Sequence, residues 1–292
     1  MKIPTVTIKQ LLEAGVHLGH KTFIWNPKMS PYIFGAKNSI HIIDLVQTLE
    51  LTNAALHQIH KCISSGGRIL FVSTKKQAAE TVSKLAEDTG QFHVTHRWLG
   101  GMLTNWKTIS NSIKRYKKLS IDLKKDNTGF TKKENLKMGI QRDKLERSLG
   151  GIAEMKKVPE MIFIIDVNIE SLAVKEAIKL NIPIVGIVDT NSDPTGINFP
   201  IPGNDDARRA INLYCELIKE TILDAQKNIT SKEVAEESKI KTDDTKEEKK
   251  EAKSKDILKS KSKSDETKKK PSQMKKKAKS IISKIKSLAS KK

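Results

Sequence analysis

The chain has 292 residues, of which 37% are hydrophobic, and its formal net charge is +20. The two cysteines, Cys62 and Cys215, form no CxxC pair, which argues against a disulfide framework or a zinc ribbon. The longest apolar run, 161–165, is far too short to span a membrane, and the first residues contain no apolar signal core. We therefore expect a cytoplasmic protein with a polyanionic partner.

Short, uninterrupted apolar runs rich in β-branched residues predict strands that are buried on both faces of a mainly parallel sheet. Runs of this kind lie at 68–73, 161–166 and 183–188, and the segments 40–43 and 92–95 are two further strand candidates. Helical patterns follow at 75–88 and 170–180, and a longer helix is predicted from 206 to about 227, capped by Asn204. Such alternation indicates an α/β fold of three layers.

Residues 107–149 interrupt this alternation with two apolar seams on either side of a turn at 126–129. The seams consist of Trp106, Ile109, Ile113, Tyr116, Leu119 and Leu123 before the turn, and of Met138, Leu145, Leu149 and Ile152 after it. Their spacing predicts an antiparallel helical hairpin of coiled-coil type. The segment holds 13 Lys or Arg against 5 acidic residues, so we expect the hairpin to be a basic arm.

A second basic excess lies in the C-terminal segment 229–292, which holds 22 Lys and 11 acidic residues. The segment has no Phe, Trp or Tyr, so it cannot bury enough apolar area to offset its chain entropy, and we expect it to be disordered. The rest of the chain holds 19 Lys or Arg against 18 acidic residues. The predicted organisation is therefore a nearly neutral body, 1–106 plus 150–228, with two basic appendages, 107–149 and 229–292.

A doubly wound body invites a nucleotide-binding interpretation, but the usual motifs do not support one. The strand at 68–73 is followed by TKKQ, with no glycine that would let the backbone approach a pyrophosphate. The run GVHLGHKT at 15–22 resembles a phosphate loop, but its second glycine comes one position early and no strand is predicted before it. No Ser-His-Asp or Cys-His constellation stands out, so no catalytic residue is predicted.

A metal site is a weaker expectation. His17 and His20 form an HxxH pair, and the fold could bring Asp189 or Asp205 near them. Histidines and a carboxylate are ligands that zinc accepts. The alternative is a pair of hydrogen-bonded histidines in a surface loop. No cofactor is therefore expected, and zinc is left open.

Eight motifs resemble those of the bacterial ribosomal protein S2 family, in the same order along the chain. They are HLGH at 17–20, WNPKM at 25–29, PYIFG at 31–35, IHIIDL at 40–45, RWLGGMLTN at 97–105, LERSLGGI at 145–152, DTNSDP at 189–194 and IPGNDDA at 201–207. The resemblance covers about 1–228. It implies a Rossmann-like α/β body with a helical-hairpin insertion, placed in the small ribosomal subunit. It also implies contacts with small-subunit ribosomal RNA, docking of the mRNA-binding protein S1, and no catalysis.

The primary hypothesis is therefore a structural ribosomal protein whose hairpin neutralises RNA phosphates. The candidate RNA-binding cations of the hairpin are Lys114, Arg115, Lys117, Lys118, Lys124, Lys125, Lys132, Lys133, Arg142, Lys144 and Arg147. Arg97, Trp98 and Asn105, where the body meets the hairpin, are candidates for closer contact with RNA. For Trp98, packing in the core is an equally good interpretation.

The expected partners are small-subunit ribosomal RNA and neighbouring small-subunit proteins, S1 among them, with no membrane and no small-molecule substrate. One alternative is a nucleotide- or sugar-phosphate-binding enzyme on the same fold, because a fold does not fix a function. A second alternative is a membrane-associated protein held by the basic residues 267–292, which contain 11 Lys and no acidic residue.

Overall fold

A five-stranded parallel sheet forms the centre of the protein in a computed structural model that describes residues 4–124 and 131–228. The helices are α1 (Ile8–Ala14), α2 (Leu45–Ser64), α3 (Lys76–Thr89), α4 (Trp106–Asp122), α5 (Lys132–Leu149), α6 (Ser171–Lys179) and α7 (208–228). The strands are β1 (Leu18–Lys21), β2 (Ile33–Lys37), β3 (Ile40–Ile43), β4 (Ile69–Val72), β5 (Phe92–Val94), β6 (Met161–Ile165), β7 (Ile184–Val188) and β8 (Phe199–Pro202). Short 3-10 helices occupy Pro27–Tyr32 and Gly150–Ile152.

The strands form two separate sheets. The large sheet has the order β5-β4-β6-β7-β8 and is parallel throughout, while β1, β3 and β2 form a small antiparallel sheet in that order. In the large sheet the chain order reverses between β4 and β6, because β5 lies on one side of β4 and the later strands lie on the other. Carboxyl ends of parallel strands meet at one edge, and such a switch point is where open α/β sheets usually bind ligands.

Two apolar clusters cover the two faces of the large sheet. Ile69 and Phe71 of β4 belong to the cluster that receives side chains from α2, α3 and α7. Leu70 and Val72 belong to the other cluster, which receives side chains from α6 and from the first turns of α4. Successive strand residues thus serve opposite faces, as the pleat requires. The result is the three-layer α/β architecture with a parallel sheet that the sequence predicts.

Several elements differ from the sequence prediction. The strand predicted at 40–43 is present, but it lies in the small antiparallel sheet. The elements α1, α2, β1, β2 and β8 were not predicted. Strand β8 contains Pro200 and Pro202, and prolines are atypical of strands, so the sequence did not predict it. Proline is tolerated there because β8 is an edge strand. Helix α7 begins at 208, two residues later than predicted, because the Asn204 side chain accepts backbone N–H groups in the turn before it.

The two helices predicted for the insertion are present as α4 and α5. The turn predicted at 126–129 and the tail 229–292 lie outside the described residues, and the coiled-coil type of packing stays a prediction. Within 4–124 and 131–228, no helix combines the length and the apolar character that crossing a bilayer requires.

Candidate nucleic-acid interface and polar cluster

The base of the α4–α5 pair is fixed in the apolar core. Ile109 and Ile113 on α4 are buried, and so is Leu149 at the end of α5. The two helices contact each other, and the Arg115 guanidinium donates to the side-chain oxygen of Gln141 at 3.3 Å. These contacts hold the pair at its base while its remaining surface stays in solvent.

The solvent-facing surface of α4 and α5 is rich in cations that have no acidic partner among residues 4–124 and 131–228. The exposed predicted cations of these helices and their flanks are Lys114, Arg115, Lys117, Lys118, Lys124, Lys132, Lys133, Lys144 and Arg147. Among the described residues, ion pairs on these helices involve only Arg142, with Asp143 and Glu146. Lys125 lies outside the described residues. The exposed positive charge is therefore available to an external anion.

A single carboxylate organises the loop that leads from the body into α4. Glu176 on α6 accepts hydrogen bonds from the Trp98 indole N–H at 3.1 Å and from the backbone N–H groups of Gly101, Leu103 and Thr104 at 2.7, 2.9 and 3.1 Å. The Thr104 hydroxyl donates as well, at 3.2 Å. Burial opposes ionisation of Glu176, but these donors outweigh it and hold its pKa below the ordinary value. The loop is thereby tied to α6.

The three residues predicted at the junction of body and hairpin lie in different surroundings. Arg97 is exposed, and so is Asn105, whose side chain makes no capping hydrogen bond at the start of α4. Trp98 is only 6% exposed and belongs to the apolar cluster under the sheet. Its packing and its bond to Glu176 leave little ring surface for a stacked base.

A buried cluster of charges lies at the carboxyl edge of the large sheet. The Lys75 ammonium, directly before α3, is 2.8 Å from Asp166, 2.7 Å from Asp205 and 2.7 Å from Asp206. Burial alone would lower the pKa of Lys75, but these carboxylates raise it above its ordinary value. One lysine thus compensates three acidic side chains, two of which are almost fully buried.

His20 and Asp189 complete this cluster. His20 Nδ1 lies 3.0 Å from Asp189, and that hydrogen bond raises the pKa of His20 although burial opposes it. Burial and the nearby charges of Asp189 and Asp166 raise the pKa of Asp205 to about 7, although Lys75 opposes the shift. Gly19 precedes His20 because a Cβ there would lie 2.6 Å from the Thr190 methyl group. The cluster therefore has more acidic than basic groups.

Three donors of this cluster could hold a cation. Ligand atoms of His20, Asp189 and Asp205 lie within 4.8 Å of one another, and Oδ2 of Asp205 is buried without a hydrogen-bond partner. One imidazole and two carboxylates form a donor set that zinc accepts. His17, the other half of the predicted HxxH pair, is not among these donors. The sequence singled out His20, Asp189 and Asp205 but missed Lys75, although it lies only two residues after the predicted strand 68–73.

The switch point between β4 and β6 is filled by the protein itself. Glu170, before α6, is 3% exposed, and its carboxylate accepts the backbone N–H of Thr74 at 2.8 Å. Thr74 follows β4 at the position where a bound phosphate would meet the chain in a nucleotide-binding fold. An internal carboxylate therefore occupies the place of an external anion, which agrees with the absence of a glycine motif at this turn.

Large apolar side chains are exposed on and near the small sheet. Phe34 on β2 is 80% exposed, and Phe23, which follows β1, is 78% exposed. Leu18, at the start of β1, is 43% exposed. Exposed large apolar side chains on and beside one small sheet are typical of a surface that another protein covers. We call Leu18, Phe23 and Phe34 the aromatic patch.

Comparison with known proteins decides what kind of molecule carries these features. A model of the ribosomal protein S2 family matches residues 11–225. The chain belongs to the ribosomal protein S2 family. The small ribosomal subunit protein uS2 of Granulibacter bethesdensis is 55% identical over 224 residues, which are 77% of this chain and 87% of that protein. The uS2 protein of Rhodospirillum centenum is 56% identical over 225 residues, which are 77% of this chain and 86% of that protein.

Membership of the S2 family confirms several expectations from the sequence. S2 proteins are structural components of the small ribosomal subunit, so the chain acts in translation as part of a ribonucleoprotein and is not an enzyme. The bacterial ribosome is a cytoplasmic particle, in agreement with the expected location. The family match ends at residue 225, so it includes α4 and α5 but not the segment 229–292.

Proposed function

We propose that this S2-family chain binds small-subunit ribosomal RNA through the basic surface of α4, α5 and the junction residues Arg97 and Asn105. The observation that carries the proposal is the set of exposed cations on α4 and α5 that form no ion pair with any described residue. Cations without acidic partners lose little when they exchange water and counterions for phosphate oxygens. Trp98 contributes as a core residue that positions the junction.

Binding of this kind positions a protein on RNA without reading its sequence. The α4–α5 pair presents lysines on successive turns, which suits the regularly spaced phosphates of an RNA backbone. Its base is attached to the body through the buried residues Ile109, Ile113 and Leu149. RNA bound to the pair is therefore held in a fixed orientation relative to the body. The insertion 107–149 therefore serves as the RNA arm of the body 1–106 plus 150–228.

Charge reversal on the arm tests this proposal. Replacing Lys117, Lys118, Lys124 and Lys125 with Glu is expected to weaken binding of the full chain to small-subunit ribosomal RNA. The logarithmic salt slope should also flatten by about 3, because each lost phosphate contact contributes roughly 0.7–0.9. The matched control reverses four lysines of the body, Lys37, Lys61, Lys76 and Lys179. Equal affinity and slope for both variants would show that α4 and α5 are not the RNA arm.

A second candidate function is the docking of the mRNA-binding protein S1, and the aromatic patch favours it. Leu18, Phe23 and Phe34 expose apolar area that RNA contacts would leave unused. Phe34→Ser should reduce retention of S1 on purified small subunits about tenfold or more, since buried aromatic anchors dominate such interfaces. Leu136→Ser is the control, because Leu136 is 67% exposed on α5, outside the patch. Normal S1 retention by the Phe34 variant would contradict this role.

Zinc bound by His20, Asp189 and Asp205 would stabilise the edge of the sheet close to β1. The unpartnered Oδ2 of Asp205 supports this proposal, whereas the Lys75 ammonium beside it competes with a cation. Elemental analysis of purified small subunits should show one zinc per chain, and Asp205→Asn should remove it. A wild-type chain without stoichiometric zinc would show that Lys75 alone compensates the cluster.

A further inference from the structure

A groove runs between the base of α5, the start of α6 and the loop before α4. Its volume is about 740 Å³, which is within the usual range of roughly 300–1,000 Å³ for sites that hold small organic groups. The apolar side chains that line it are Trp98, Leu99, Ile140 and Leu172. Ile140 is 62% exposed and Leu172 is 54% exposed, so two of its aliphatic walls face solvent.

The charged residues of this groove are mostly cations. Arg97, Lys144 and Arg147 line it, and none of them forms an ion pair with another described residue. Its one acidic residue, Asp143, is bound to the guanidinium of Arg142 at 2.5 Å and is thereby neutralised. The groove therefore combines an apolar wall with three free positive charges, which suits a ligand that has both a flat apolar face and negative charge.

We propose that this groove binds an unpaired nucleotide of RNA, with the base against Ile140 and Leu172 and the phosphates near Arg97, Lys144 and Arg147. The inference rests on the proposed RNA binding, and it specifies that the groove binds unpaired RNA and not a duplex. Unpaired nucleotides expose a base face that apolar and guanidinium surfaces can cover, whereas a duplex hides its bases in the stack. A duplex would leave Ile140 and Leu172 in water.

The hydrogen bonds of Glu176 hold one wall of the groove in place before RNA arrives. They fix Trp98 and Gly101, so Leu99 and Gly100 between them have a defined course along the groove. A wall that is already ordered costs less conformational entropy on binding than a loop that must be fixed by the ligand. The free cations favour a polyanion over a protein segment, which would have to bring several acidic side chains to this one place.

The test compares short probes of two forms with the full chain. The single-stranded probe is an unstructured RNA oligonucleotide, and the duplex probe is a blunt RNA duplex of equal length. The Ile140→Ser, Leu172→Ser double variant should bind the single-stranded probe about tenfold more weakly than wild type, since the apolar contact of two aliphatic side chains with one base is worth that order. Duplex affinity and the salt slope should not change, because no cation is altered.

Two controls make the comparison specific. Leu136→Ser removes a more exposed leucine one turn earlier on α5, outside the groove, and should leave both affinities unchanged. Leu172→Met keeps an apolar wall and should keep the affinity for the single-stranded probe. Thermal melting of each variant confirms that it is folded, since substitutions of exposed side chains usually change stability little.

A double variant that binds the single-stranded probe as tightly as Leu136→Ser does would overturn the inference. An equal loss for both probes would overturn it too, because the groove would then not distinguish unpaired bases. If the variant keeps its RNA affinity but no longer retains a neighbouring protein on small subunits, the groove holds a protein segment instead. Failure of the broader proposal is seen separately, as unchanged RNA binding after reversal of the four arm lysines.

Discussion

Replacement of Glu176 tests whether one carboxylate holds the loop between the body and α4. Glu176→Ala removes the acceptor of five hydrogen bonds, from Trp98, Gly101, Leu103 and both donors of Thr104. Hydrogen bonds to a charged group contribute roughly 1.5–3 kcal/mol each when buried, but water can replace those of exposed Thr104. Since such losses are not additive, we expect the free energy of unfolding to fall by about 2–4 kcal/mol.

That loss corresponds to a fall in Tm of roughly 5–12 °C for a folded region of this size. The effect should depend on pH in a defined direction. Glu176 has a folded-state pKa below its unfolded value, so its stabilisation is complete above the unfolded pKa and is lost as pH falls through the folded pKa. Glu176→Gln, which cannot ionise, should therefore be less stable than wild type at pH 7 and approach it in acid.

The assay is urea denaturation followed by tryptophan fluorescence at neutral and acidic pH, to which Trp98 contributes together with Trp25 and Trp106. Glu80→Gln is the matched control, because Glu80 is exposed on α3 and makes no hydrogen bond or ion pair with any described residue. A Glu176→Ala variant whose free energy of unfolding lies within about 0.5 kcal/mol of wild type would refute the reasoning. So would a deficit of Glu176→Gln that stays constant over the whole pH range.

Three further substitutions have definite expected outcomes, each measured by urea denaturation. Lys75→Met leaves buried carboxylates without their cation and should cost about 3–5 kcal/mol, whereas Lys76→Met, on the exposed neighbour, should cost little. Gly151→Ala puts a methyl group onto the backbone carbonyl of His93 and should cost about 1–3 kcal/mol. Gly139→Ala, with nothing within 4 Å of the new methyl group, should stabilise α5 by roughly 0.5–1 kcal/mol. A loss of stability in the Gly139 variant, or none in the Gly151 variant, would contradict this packing.

The sequence predicted best the strands whose pattern of apolar residues matches their burial in the fold. β4, β6 and β7 are buried at every position, so each appears as an unbroken apolar run. Helix α2 was missed although Asp44 caps it and Leu49, Leu56, Ile59 and Ile63 recur at helical spacing, so its pattern was sufficient to predict it. β1 and β2 are short and mostly exposed, so neither has the alternation that marks a half-buried strand.

The functional features were predictable to different degrees. Concentrated charge is visible in any sequence, and the cations of α4 and α5 were named individually for that reason. The role of Glu176 was hidden, since its partners lie more than 70 residues earlier in the chain and are mainly backbone groups. Arg97 was named from its position where the body meets the hairpin, but the groove it lines could be recognised only from the positions of Ile140 and Leu172 on α5 and α6.

The carboxylate of Glu170 at the switch point has a consequence for how this body becomes stable. A protein that needs a nucleotide at this position gains stability in proportion to the logarithm of the ligand concentration. Here the anion is covalently attached, so its local concentration is fixed and high whatever the metabolic state of the cell. This turn of the α/β body therefore needs no bound nucleotide to satisfy its backbone N–H group.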